Sequence, residues 1–232
     1  MKTLQKSGGI AALYMAFAYL IGMALFLVVL DYPSITDPAQ KVTLLVEKQL
    51  VIFSTNLLMY VFFGVALVVL SLALHDRLKS GAPVLMRVAT TFGIIWAGSL
   101  IASGMVANAG IAPTIALHAT DPAQAAVAWQ GIEAVAAGLG NGNGEILGGI
   151  WVLLVSVVGL RTGGLTKGLN RLGLLVGAVG IISLIPAFTE ILTGIFGVGQ
   201  MVWFVRLGIA LMRGHAAETA SYGAPSTIAN PL

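Results

Sequence analysis

The chain has 232 residues, of which 58% are hydrophobic and only 9% charged, with a mean hydropathy of +0.96; soluble domains carry about 25% charged residues, so lipid is the indicated solvent. The formal charge of +3 sits on scattered residues, which excludes the clustered basic face of a nucleic-acid partner. With no cysteine, disulfide, thiolate and cysteine-cluster chemistry are excluded as well.

Apolar runs near the spanning length of about 20 residues occur at 9–30, 49–74, 88–110, 144–160, 172–193 and 198–212, the last short enough to need thinning or snorkelling. The first follows Lys2 and Lys6, a basic start that imitates a secretory signal. Its apolar stretch, 10–30, exceeds the roughly 7–15 residues of a signal, and no small-x-small cleavage site follows before Asp31. We read it as a retained first helix. The pentapeptide Thr-Asp-Pro-Ala-Gln then appears at 36–40 and again at 120–124. In each copy Asp as N-cap and Pro as first helical residue satisfy a helix start, a simpler account than internal duplication.

Lys and Arg gather on the cytoplasmic side of membrane proteins. Here Lys2 and Lys6 precede the first span; Arg77, Lys79 and Arg87 join the second and third; Arg161, Lys167 and Arg171 follow the fourth; Arg213 follows the last. Those regions are expected inside. The intervening segments hold Lys41 and Lys48 with Asp31, Asp37, Glu47, Asp121, Glu133 and Glu145, and are expected outside. Between Asp121 and Arg161 the chain must cross an odd number of times, and 144–160 makes that crossing. Residues 123–139 therefore read as an outer-face interfacial or re-entrant helix, with Ile132, Val135 and Leu139 as its apolar stripe; the alternative is a true seventh span. Asn141-Gly142-Asn143-Gly144 favours a turn between it and the fourth span.

Close helix contact in lipid depends on small residues. The candidates are Gly173 with Gly177, Gly144 with Gly148, and the rows of Gly98, Ser99, Ala102 and Ser103. Pro186 is expected to kink the fifth span just before Thr189 and Glu190. After Arg213 the tail, 214–232, lacks apolar periodicity and reads as flexible and cytoplasmic.

Ionisable residues at membrane depth default to functional candidates. Glu190 lies near the outer end of the fifth span and Arg206 near the middle of the sixth. Glu145 opens the fourth span at the outer level, and Asn56 and Asn108 sit in the outer parts of the second and third. We expect a polar pocket opening outward, lined by Asn56, Asn108, Glu145, Glu190 and Arg206. The competing account is structural, with Arg206 neutralised by an acid and the amides bonded between helices. Trp96, Trp129, Trp151 and Trp203 fit packing or interfaces better than a ligand cage. No expected span holds a histidine or lysine beyond its ends, so haem b, intramembrane zinc and retinal chemistry lack their ligands. No metal or cofactor is expected, no catalytic constellation is found, and no phosphate-binding loop occurs, since Gly163-Gly164-Leu165-Thr166-Lys167-Gly168 does not have its spacing.

The stretch Gly144-Glu145-Ile146-Leu147-Gly148-Gly149-Ile150-Trp151, then Leu172-Gly173-Leu174-Leu175-Val176-Gly177, then Gly199-Gln200-Met201-Val202-Trp203-Phe204 running to Gly208 and Arg213, resembles the closing half of bacterial membrane proteins grouped as domain of unknown function 4386. The likeness covers roughly 125–213. It implies a bacterial inner-membrane protein of about six spans and no assigned activity. The expected molecule is thus an all-α polytopic membrane helix bundle over 1–213, with six transmembrane helices, an outer-face helix and both termini cytoplasmic. Its expected role is to bind or transport a small solute or proton; the alternative is an accessory subunit that binds another membrane protein through small-residue faces. Membrane lipid is the expected partner, with a homo-oligomer or a membrane-protein partner as further expectations.

Overall fold

In lipid the backbone N–H and C=O groups have only each other as partners, so long apolar runs become helices. The computed structural model describes residues 2–140 and 145–223, with side chains over 3–140 and 145–213. Among the described residues every regular element is a helix. In chain order they are α1 (Lys2–Ala24), α2 (Pro38–Glu47), α3 (Gln49–Asn56), α4 (Phe63–Leu78), α5 (Pro83–His118), α6 (Pro122–Gly140), α7 (Ile146–Thr162), α8 (Lys167–Ile182) and α9 (Thr189–Gly223). Four stretches are long and apolar enough to cross a membrane: Thr3–Val29, Gln49–Leu78, Pro83–His118 and Thr189–Arg213. They point to a membrane protein. Helix α7 is apolar but has only 17 residues, and α8 has 16, with Lys167 and Arg171 in its opening turns.

Helices α1, α4, α5, α7, α8 and α9 pack in that order into a closed ring, with α9 returning to α1. The ring encloses a core in which Phe63, Trp96, Trp151, Trp203 and Phe204 stack at centroid separations of 5.6–6.4 Å. Glycines set the tightest seam. A Cβ on Gly177 of α8 would lie 2.8 Å from the Gly149 carbonyl oxygen of α7, and one on Gly180 would lie 3.0 Å from Gly149 Cα. A Cβ on Gly148 would lie 2.8 Å from the Trp96 ring. Gly144, its expected partner in a small-residue pair, lies outside the described residues, as does the turn at 141–143.

Helix α5 has 36 residues and is about 54 Å long at 1.5 Å per residue, well beyond a hydrocarbon core of about 30 Å. Its second half is sheathed by α6, which runs back down it. Ile132 packs on Gly110, and Ser103 Oγ donates to the Ala136 carbonyl at 2.7 Å. Helix α7 then continues in the same direction, with Trp151 meeting Gly93. Helices α6 and α7 therefore descend α5 in series. Both repeated pentapeptides start helices: Asp37 Oδ1 accepts from Ala39 N–H and Asp121 Oδ1 from Gln124 N–H, each at 3.0 Å. The first start opens α2, which packs on α6 and α5. Together they build a second core of Leu30, Val42, Leu45, Ile52, Ile111 and Trp129. This cap sits on one end of the ring.

The structure corrects the last two expected spans. The chain is not helical from 183 to 188, and the last helix starts at Thr189, so 172–193 is divided and 198–212 begins too late. Pro186 breaks the helix instead of kinking it. It has no N–H to donate, and it drives the preceding residue out of the helical region; Thr189 Oγ1 then donates to the Ser183 carbonyl at 2.8 Å, tying the break. Helix α9 also runs past Arg213 to Gly223, where the sequence was expected to be flexible. Ala216, Ala217, Glu218 and Ala220 are good helix formers, and that local preference outweighs the missing apolar stripe.

All lysines and arginines except Lys41 and Lys48 lie toward the end of the ring opposite the cap, and Asp31, Asp37, Glu47, Asp121, Glu133, Glu145 and Glu190 lie toward the cap. The two ends are oppositely charged.

Candidate functional site

A cavity of about 610 Å³ lies between the cap and the ring. Its cap side is formed by Phe26, Tyr32, Lys41, Trp129 and Glu133, and its ring side by Asn56, Tyr60, Ser103, Ala107 and Glu145. Two stretches of wider helical turn shape it: Leu25–Val29 extends α1, and Leu57–Phe62 joins α3 to α4. Such π turns displace side chains from the regular helical register and are frequent at functional sites. They deliver Phe26 and Tyr60 to the lining. Tyr14 Oη donates to the Leu58 carbonyl at 2.8 Å, anchoring the second stretch to α1.

At the cap side Lys41 Nζ donates to Glu133 Oε1 at 3.1 Å and Oε2 at 3.2 Å, and it rests 4.9 Å over the Tyr32 ring. Tyr32 Oη donates to the same carboxylate and accepts from Trp129 Nε1 at 3.2 Å. Burial, and then the hydrogen bond to Glu133, hold the Tyr32 phenol well above its ordinary range. This network ties the chain after α1 to α2 and α6. It already presents a cation held between a carboxylate and an aromatic face.

At the ring side Glu145 is 6% exposed and stands at the N-terminus of α7, where the helix dipole favours its negative charge. Its backbone N–H donates to Ser183 Oγ at 2.9 Å, and that hydroxyl donates to the Gly180 carbonyl at 2.6 Å. Beyond Glu145 a smaller chamber of about 140 Å³ opens toward the core, walled by Tyr19, Tyr60, Phe63 and Trp96. Glu145, Tyr60 and Gly140 line both hollows. A buried carboxylate thus stands between a wide outer space and an aromatic box.

The five residues expected to share one pocket are dispersed. Asn56 and Glu145 line the large cavity; Asn108, Glu190 and Arg206 are not among its walls. Asn56 Nδ2 donates to Asn108 Oδ1 at 2.9 Å, and Asn108 Nδ2 donates to the Phe53 carbonyl at 3.2 Å. The pair fastens α3 to α5. Because α9 begins at Thr189, Glu190 falls in its exposed first turn. Arg206 lies on the far half of α9, beside Arg77 and the loop at 163–166. No ion pair joins it to Glu190; the two pairs among the described residues are Lys41–Glu133 and Lys79–Asp76. Replacing Asn108 by alanine is expected to cost about 1 kcal/mol, in the range of interhelical amide bonds in membranes. A melting curve in detergent checks this.

Sequence reasoning left Tyr32, Lys41, Glu133 and Tyr60 out of the expected pocket. A signal existed for two of them: Lys41 and Glu133 are opposite charges in segments both expected outside. Nothing in the sequence pairs them across 92 positions.

The fold and site define an all-helical bundle, with four helices able to cross a membrane and a carboxylate-bearing cavity beneath a helical cap. Among known proteins the chain matches no family model, no curated protein and no solved structure.

Proposed function

We propose that the protein binds a small organic cation in the cavity beneath the cap, as a six-span protein of a bacterial inner membrane with its basic end and both termini in the cytoplasm. The carrying observation is the position of Glu145, a buried carboxylate joining the 610 Å³ cavity to the aromatic chamber. A buried carboxylate among aromatic faces suits an ammonium or guanidinium group, which gains from the ring quadrupoles as well as the charge. The acids at the cap end outnumber Lys41 and Lys48, and such a field concentrates cations. The positive-inside tendency puts that end outside. Helices α7 and α8 then cross as short spans, α7 completing the passage that α6 begins.

Purified protein in detergent is titrated with choline and with its uncharged carbon isostere, dimethylbutanol, while melting is followed. Choline is expected to raise the melting temperature and the isostere to leave it unchanged. Ala107→Phe, which fills the cavity wall, is expected to abolish the choline response. The absence of cysteine makes sidedness directly measurable. Ala107→Cys is expected to react with an impermeant maleimide on whole cells, and Lys79→Cys only after permeabilisation. Labelling of Lys79→Cys on intact cells refutes the orientation. An equal response to both solutes refutes the cation.

A further inference from the structure

The basic end carries a further hollow that the solute cavity does not explain. About 610 Å³ in volume, it lies among Arg77, Arg206 and Arg213 and the loop at 163–166. Arg206 is shared with an apolar groove of about 470 Å³ between α1 and α9, walled by Leu13, Phe17, Leu20, Val202 and Val205. Phe17 and Leu20 are more than half exposed there. The groove and the hollow meet at one guanidinium.

We propose that this joint site binds one anionic phospholipid of the leaflet at the basic end, with the phosphate among Arg206, Arg213 and Arg77 and an acyl chain along the α1–α9 groove. Charge complementarity selects the occupant. Three arginines and no acid are among the described residues that line the hollow, and the ion pairs among the described residues involve none of the three. Arg77 Nε donates to the Gly164 carbonyl at 3.0 Å, which orients its guanidinium beside the loop. Thr166, the N-cap of α8, lines the same hollow, and the positive end of that helix adds to the field. Arg206 stands two helical turns from Arg213, about 10 Å along α9, a depth at which a long side chain snorkels to a headgroup. The groove rises from that point: Leu13 packs at Gly208, and Leu20 lies farther along toward the cap. A basic hollow opening onto a lipid-facing groove is the arrangement that recognises an anionic headgroup with its chain attached. The occupant is a lipid and not free phosphate, because phosphate leaves the groove unused.

The test uses delipidated full-length protein in detergent, with melting followed against added phosphatidylglycerol, phosphatidylcholine or glycerol phosphate. Phosphatidylglycerol is expected to raise the melting temperature at concentrations at least tenfold below those needed with either of the others. Arg206→Gln and Ala16→Phe, which fills the groove, are each expected to remove most of that advantage. Arg87→Gln, at the same end but outside both hollows, is expected to keep it. Equal effects of the two lipids, an unchanged response in Arg206→Gln, or full activity of glycerol phosphate each overturn the proposal. A variant that melts early without lipid is compared by native mass spectrometry, where retention of phosphatidylglycerol by Arg206→Gln as by the parent counts against it in the same way.

Discussion

Gly177→Leu is expected to unseat α8 from α7 and destabilise the closing half of the ring by about 3 kcal/mol or more, the upper range for overpacking. A Cβ at that position alone would lie 2.7 Å from Leu153 Cβ, 2.8 Å from Leu153 N and 2.8 Å from the Gly149 carbonyl oxygen. Two of those three neighbours are backbone atoms, and a backbone can make room only if one helix moves away from the other. Such movement also lifts Gly180 from Gly149 and disturbs Phe196, which packs against both Gly148 and Gly180. The cost therefore spreads along the seam. Gly98→Ala is the control, since a Cβ there meets nothing within 4 Å; with alanine the better helix former, it is expected to melt at or slightly above the parent temperature. Equal melting of Gly177→Leu and the parent would show that the seam is loose.

Only part of that seam was legible in the sequence: lipid leaves small residues as the visible means of helix contact, which marked Gly177, but its partner is Gly149 and not the expected Gly148, which meets Trp96, and Gly98 of the expected third-helix row meets nothing within 4 Å. The positions of the helices were legible for the related reason that apolar length has one meaning in a bilayer. Their ends were less so. The break at 183–188 lies in a stretch as apolar as the helices around it, and only Pro186 marks it. The site was half legible. Glu145 stood out as an acid at the head of an apolar run, and the Asn56–Asn108 pair as amides at one level. Tyr32, Lys41 and Glu133 meet through a cap made of three elements distant in sequence, and hydropathy carries no information about how such elements dock. Arg206 and Glu190 misled for a geometric reason. Depth along a helix can be counted from residues, but the face a residue occupies depends on which neighbours close the ring, and α9 turns both of these outward.

Cation binding is expected to fall roughly thirtyfold or more in Glu145→Gln, since truncating one partner of a buried charge pair costs about 2–5 kcal/mol. Glutamine keeps the shape of the side chain, and the backbone hydrogen bond from residue 145 to Ser183 Oγ does not depend on the carboxylate. The fold is therefore expected to survive, and melting without ligand to stay near that of the parent. What changes is the counter-charge facing Tyr19, Tyr60, Phe63 and Trp96. Those rings, each worth about 0.5–2 kcal/mol to a cation, are the same in both proteins, so the difference between them reports the carboxylate alone. Glu133→Gln is expected to weaken binding far less, because Glu133 stands on the cap side, bonded to Lys41 at 3.1 Å, and does not line the aromatic chamber. Calorimetric titration with choline separates the two variants. Were Glu133→Gln to lose binding while Glu145→Gln kept it, the cation would belong at the cap beside Tyr32, with the inner carboxylate serving only to start α7.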